Sequence, residues 1–294
     1  MKITIAGSLG NISKPLAQTL IAGGHDVTVI SSQDARRSDI EALGAKAAIG
    51  SIDDAGFLTS AFTGADAVYT MTPPNLGGQN VKANTAVAGE ALAEAIRRSG
   101  VKRVVMLSSI GADLPEGNGP IGGLYAVEQS YQQLKEVAVT YLRAGYFYIN
   151  SYNDIPLIKH QDILGGNYPA GTKIPFVHPK DIAAAVAKAL QEPGNGHEVR
   201  YVVSDYRTAA EVATELGTAV GKPGLPWVEF TDEQSLEGMK AAGVPEEIAG
   251  LYTEMGAGFR KGIIPADFIK QGAPVTGAIK LEEFAREFAA RYKV

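Results

Sequence analysis

The sequence predicts an α/β protein, a doubly wound parallel sheet followed by a smaller, helix-rich C-terminal cap. Three observations carry that expectation. Short β-branched runs alternate with amphipathic, helix-length stretches through the first 150 residues, and strands joined by helical connections pair in parallel through right-handed crossovers. A glycine-rich turn links the first strand pattern to the first helix pattern. Beyond residue 150 the alternation loosens and helical periodicity takes over.

Residues 2–6 (KITIA) and 27–31 (VTVIS) read as the first two strands. Between them Ile12, Leu16 and Leu20 recur every four residues with Ala17 and Ile21 alongside, which makes one apolar helix face. Pro15 falls in that helix's first turn, where a missing N–H costs little, and Gly23-Gly24 end it. Residues 46–49 form a weak strand, and 54–63 a short helix with Leu58 and Phe62 on one face. A fourth strand at 65–71 (ADAVYTM) runs into the loop MTPPNLGG at 71–78. A long helix at 79–99 places Val81, Ala88, Leu92 and Ile96 together, and strand five follows at 103–108. A Gly/Pro-rich loop at 111–123 leads to a helix over 124–136 and to strand six at 139–142.

The second half supplies a helix at 182–190, a strand at 198–203 that suits a seventh place in the sheet, and helices at 208–220, 232–242, 246–260 and 281–292. We therefore divide the chain into a nucleotide-binding core, residues 1–150, and a segment, 151–294, that returns to the sheet and forms the substrate-side cap.

Composition narrows the chemistry. The chain holds 294 residues, 45% of them hydrophobic, enough to bury a full core. With no Cys there is no thiolate nucleophile, no disulfide framework and no cysteine-ligated metal or cluster. The formal charge of −5 gives no electrostatic reason to expect nucleic acid or an anionic membrane as partner. No apolar run approaches the ~20 residues of a membrane span, and MKITIAGSLGNIS lacks a signal-peptide pattern. The cytoplasm is the expected compartment. His25, His160, His178 and His197 are scattered without metal-ligand spacing, so no metal site is expected.

The turn after the first strand, GSLGNIS at 7–13, carries the strongest functional signal. Gly7 permits the tight exit from the strand, and Gly10 lets the backbone approach a pyrophosphate. The following helix N-terminus offers free N–H groups and the positive end of its dipole. Ser13 stands where a third glycine is usual. In its βαβ setting the loop predicts a dinucleotide-binding Rossmann fold. Strand two ends at Ser31-Ser32 with Arg36 and Arg37 close behind, which suits the 2′-phosphate of NADP(H). NAD(H) stays open, because Asp34 could accept from a ribose hydroxyl.

These residues resemble the NmrA-like family of atypical short-chain dehydrogenases/reductases, including its NADPH-dependent quinone oxidoreductase-like members. The likeness covers nearly the whole chain: GSLGNIS, Gly50-Ser51-Ile52-Asp53, RVVMLSSIG at 103–111, VTYLRAGYFYIN at 139–150, PFVHPKDIA at 175–183 and AAGVPEEIAGLYTEM at 241–255. Ser13 and Ala144-Gly145 depart from the family's third Gly and its frequent Pro-Gly. By resemblance the cofactor lies over Gly7, Leu9, Gly10, Asn11 and Ile12 and continues past Ser31, Ser32 and Arg36. Ile52, Asp53, Met71, Thr72 and Pro73 border it, with Ser108, Tyr146 and Phe147 toward the nicotinamide end.

A proton donor is harder to name. Tyr131 and Lys135 have the Tyr-x-x-x-Lys spacing of short-chain reductases, in which Lys lowers the tyrosine pKa. They fall late on their helix, and in the resembling family this helix carries a Glu, here Glu128. Tyr125, nearer the helix start, and Ser108, at a strand's carboxyl end, are the catalytic candidates. His178 reads as a surface or capping residue, and no nucleophile elbow appears. The expected function is an NADPH-dependent oxidoreductase delivering hydride to a small quinone or carbonyl, with an oligomer possible. The alternative is a non-catalytic NAD(P)-sensing regulator acting through a protein partner.

Overall fold

The computed structural model describes residues 1–73 and 79–294; residues 74–78 of the loop after the fourth strand lie outside the described set. The first half runs β1 (Lys2–Ala6), α1 (Ser13–Ala22), β2 (Asp26–Ser31), α2 (Arg37–Ala42), β3 (Lys46–Ile49) and α3 (Ala55–Phe62). It continues with β4 (Ala67–Thr70), α4 (Val81–Ser99), β5 (Arg103–Ser109), α5 (Gly122–Tyr131) and β6 (Ala138–Ala144). Next come β7 (Tyr146–Phe147), α6 (Ile155–Gln161), β8 (Leu164–Gly166), β9 (Lys173–Val177), α7 (Pro179–Gln191) and β10 (His197–Val202). The chain ends with β11 (Asp205–Thr208), α8 (Ala209–Ala219), β12 (Trp227–Glu229), α9 (Asp232–Ala241), α10 (Glu246–Arg260), α11 (Ala266–Lys270) and α12 (Leu281–Tyr292).

Seven strands form one sheet in the order β10-β6-β5-β4-β1-β2-β3, and every pairing is parallel. The doubly wound sheet expected from the alternation is therefore present, with the 198–203 strand at its edge. Its strands are apolar on both sides because helices cover both faces. Leu16 and Leu20 of α1 pack with Ile182, Val186 and Leu190 of α7 on one face. Leu58 and Phe62 of α3, Leu92 and Ile96 of α4, and Val127 of α5 cover the other. A third cluster lies under the cap, where Tyr148 stacks between Phe176 and Phe284 with ring centroids 5.5 and 5.0 Å away.

Strand order reverses at β1, which has β2 on one side and β4 on the other. The loops leaving β1 and β4 must part there, and a crevice opens at the strands' carboxyl ends.

The structure departs from the pattern read in the sequence at α5 and over 145–177, and it adds α2, β11, β12 and α11, for which no element was read. The helix expected over 124–136 spans Gly122–Tyr131. It starts earlier, at Gly122-Gly123, where α4 lies so close that a Cβ on Gly123 would meet Thr85 Cβ at 2.7 Å. It stops earlier because the chain tightens into successive turns, with Leu134 N donating to Tyr131 O at 2.9 Å. Residues 145–177 hold β7, α6, β8 and β9, none of which shows a clear period. β9 pairs with β7 in parallel and β11 antiparallel, while β12 pairs with β8. These strands are two to five residues long and include Gly165, Gly166 and Pro175, so tertiary pairing rather than local propensity makes them.

Candidate functional site

Three connected cavities follow the carboxyl edge of the sheet. The largest, about 600 Å³, runs from Gly7 and Gly10 past Ser31 and Gly50 to Met71, Pro73 and Phe147. A polar side chamber of about 210 Å³ shares Ser8, Gly10, Ser31 and Ser32 with it and adds Leu9, Gln33 and Arg36. An inner compartment of about 270 Å³ shares Ile12, Met71, Pro73, Phe147 and Asn150, and continues under the cap to Tyr252, Met255 and Phe259.

The glycine loop shapes the central cavity by local sterics. A Cβ on Gly7 would sit 3.0 Å from both Met71 Sδ and Ser13 Oγ. Ser13 is buried and fills the space beside Gly7, so a hydroxymethyl group is accommodated where a third glycine was expected. A Cβ on Gly10 would meet only Ser8 O, at 3.8 Å. Gly10 lines the cavity, and a longer side chain there would grow into it. No side chain caps the N-terminus of α1, which leaves that helix end available to an anion.

At the side chamber, the residues after β2 have distinct partners. Arg37 donates to Asp34 Oδ1 through Nε at 3.1 Å and Nη2 at 3.0 Å, and neither residue lines a cavity. Arg36 does line the chamber, and its nearest carboxylate, Asp39, is 3.9 Å away. Ser31 and Ser8 hydroxyls lie 3.2 Å apart across the chamber floor.

The inner compartment has an uncharged lining over a charged foundation. Ser108, 2% exposed, donates from Oγ to Glu128 Oε1 at 2.5 Å. Glu128 is held bidentately by Arg143, through Nε at 3.1 Å and Nη2 at 2.7 Å. Arg143 Nη1 turns to Asp113 at 3.4 Å and Asp267 at 3.1 Å. Near the cap, burial holds the Tyr146 phenol well above its ordinary range, with Tyr252, Tyr168 and Asp154 adding to the effect. Burial also pushes the Asp154 carboxyl up to about 7.

A family model described as NAD(P)H-binding matches residues 7–193, the stretch that holds the glycine loop and the sheet's strands β2 to β6. The chain belongs to the NAD(P)H-binding family. Its curated relatives include an NAD(P)H azoreductase from Xenophilus azovorans, 28% identical over 299 residues covering 99% of each chain. A solved NADPH-dependent quinone oxidoreductase from Escherichia coli, in complex with NADPH, superposes with TM-score 0.81 at 21% identity. That superposition covers 97% of this chain and 99% of that one. A Citrobacter sp. triphenylmethane reductase with NADP(H) gives TM-score 0.79 at 20% identity, covering 98% and 99%. The resemblance read from the sequence is thereby borne out.

The donor set fits the dinucleotide of this NAD(P)H-binding family: an open glycine cradle at an uncapped helix, a hydroxyl-and-guanidinium chamber beside it, and an apolar compartment beyond. Gly7, Gly10, Asn11, Ile12, Ile52, Asp53, Met71, Pro73 and Phe147 line the central cavity. Leu9, Ser31, Ser32 and Arg36 line the side chamber, and Thr72, Ser108 and Tyr146 the inner compartment. Every cofactor candidate therefore lies on one continuous cleft.

The catalytic candidates are placed differently. Tyr125 lines none of these cavities; its neighbour Leu124 does, so the expected cleft-facing tyrosine is turned away. Ser108 reaches the inner compartment, but its single proton is directed at Glu128, so it offers the cleft an acceptor rather than an acid. Tyr131 is wholly buried, donates to Thr70 Oγ1 at 3.1 Å, and lies in the core between sheet and α5. Lys135 is beyond the helix and donates to Gln132 O at 2.9 Å. Their spacing builds no dyad. His178 caps α7 by accepting from Lys180 N at 3.1 Å, and it is buried rather than at the surface.

Sequence reasoning passed over Asn150, Tyr252, Met255 and Phe259 as site residues. Asn150 stands only four residues beyond Tyr146, whereas the approach of Tyr252, Met255 and Phe259 depends on α10 folding back over the sheet edge, and no local motif records that contact.

Proposed function

We propose that the chain is an NADPH-dependent reductase that passes hydride to a small flat quinone or carbonyl held in the inner compartment. The observation that carries this reading is the continuity of the glycine-loop cleft with an apolar compartment through Met71, Pro73 and Phe147. The relatives named for quinone, azo-compound and triphenylmethane reduction support it.

Gly7, Gly10 and the N-terminus of α1 would hold the pyrophosphate, Arg36 with Ser32 the 2′-phosphate, and Ile52 and Asp53 the adenosine end. When bound, the nicotinamide supplies a hydride. Ser108, its hydroxyl fixed by Glu128, would accept from an N–H or O–H group at the inner end of the cleft. Met71, Pro73 and Phe147 line both compartments and would present apolar surface to the passage between them. Besides Ser108, the side-chain hydroxyls on the compartment wall are Thr72, Thr85, Ser109, Tyr146 and Tyr252; Thr85 and Ser109 donate to the carbonyls of Val81 and Ile110, and the Tyr146 proton is held firmly by burial. Quinone reduction does not require a dedicated protein acid, because water can protonate the product.

Mixing the protein with NADPH and a panel of quinones, aldehydes and azo compounds, and following loss of the NADPH absorbance, tests the proposal. Turnover with at least one flat acceptor, faster with NADPH than with NADH, is expected. Tight NADPH binding without oxidation by any acceptor would instead identify a sensor.

A further inference from the structure

We infer that the inner compartment selects uncharged or cationic planar acceptors and rejects anionic ones. Its role in turnover rests on the reductase reading above, whereas the selectivity itself rests on the charges around the cleft. Among the described residues, no side chain lining the compartment carries a formal charge. The hydrogen-bonding groups on the wall are neutral, chiefly Ser109, Tyr146, Asn150 and Tyr252. Such groups can meet a carbonyl or hydroxyl, but they do not replace the hydration of a sulfonate or carboxylate.

The charges behind the wall add to the bias. Arg143 is the cation beneath the floor, and it is committed to three carboxylates, Glu128, Asp113 and Asp267. Lys82 is paired with Glu254, whose other oxygen accepts from Gly117 N at 2.7 Å. Glu247 accepts from Asn80 N and Val81 N at the start of α4. Carboxylates thus outnumber cations around a lining that offers no counter-charge. A neutral ring pays nothing for this arrangement, a cationic one gains from it, and an anion is repelled while losing its water.

Naphthoquinone and naphthoquinone sulfonate separate these cases, because the sulfonate adds one charge to nearly the same ring. Calorimetric titration of each into protein saturated with 1,4,5,6-tetrahydro-NADP, whose nicotinamide ring is uncharged and transfers no hydride, should show the sulfonate binding at least about tenfold more weakly. With NADPH, kcat/KM should fall in the same order, although the electron-withdrawing sulfonate makes the ring the better oxidant. Tyr252→Arg, which places a cation on the wall, should narrow the ratio between the two. Equal affinities, preference for the sulfonate, or binding of neither would overturn the inference. Selective binding of the neutral ring without turnover would uphold it and overturn the reductase reading alone.

Discussion

Arg36 and Asp34 stand two positions apart after β2, yet the fold gives them opposite tasks. Asp34 is tied to Arg37, while Arg36 faces the chamber formed with Ser8, Ser31 and Ser32. A charge-assisted contact from Arg36 to a 2′-phosphate is worth about 1.5–3 kcal/mol. Arg36→Ala should therefore weaken NADPH about 10- to 150-fold in a fluorescence titration and leave NADH nearly unchanged; equal weakening of both would remove the assignment. Asp154 gives a pH signature. Its carboxyl titrates near 3.8 when exposed and at about 7 in the fold. Between those values the native state keeps a proton that the unfolded chain has lost, so stability falls as pH rises through the window and levels off above it. Asp154→Asn should be more stable than wild type by about 1–3 kcal/mol near pH 8 and no different near pH 4, measured by urea denaturation. The glycine loop was legible in the sequence because its constraint is local, a strand, a turn and a helix within a dozen residues. Asp154 was not, since its surroundings come from Tyr146 and Tyr168 on separate elements.

The position of α5 decides which of its residues can serve the cleft. Glu128, on the buried face, clamps β5 through Ser108 and β6 through Arg143, which fixes Leu124 against the compartment and sends Tyr131 into the core. Arg143→Met would strand the Glu128 carboxylate, which is 2% exposed; a loss of about 3–5 kcal/mol in denaturant unfolding is expected. The double change Glu128→Met with Arg143→Met should recover part of that loss, the remainder reflecting Asp113 and Asp267, which also lose Arg143, whereas no recovery would mean that the stranded Glu128 charge is not the cause. Tyr131→Phe and Lys135→Ala should each lower kcat less than about tenfold, below the 10²–10⁴ of a general acid; a larger fall in both would restore the dyad. Long elements such as α1, α4, α10 and α12 could be read from period alone. The short β7, β8 and β9 could not, because two to five residues carry too little pattern and their partners are remote in sequence. The end of α5 was misjudged for a related reason, since the turns after Tyr131 contain no glycine or proline.

At the scale of the whole molecule, strand reversal at β1 opens the crevice, one end of which is polar and glycine-rich while the other is apolar and roofed by α10. The first end was legible residue by residue; at the second a helical cap with Ser108, Tyr146 and Phe147 was legible, but not the approach of Tyr252, Met255 and Phe259, because a roof is made by tertiary packing. The central claim is that a hydride donor and its acceptor meet where these ends join, beside Met71, Pro73 and Phe147. Rapid mixing of the protein–NADPH complex with excess naphthoquinone tests this most directly, with NADPH and its C4-deuterated form compared in a single turnover. The account predicts oxidation of the bound nucleotide with a primary deuterium isotope effect on that phase. A nucleotide that stays bound and reduced in the presence of the quinone would contradict it.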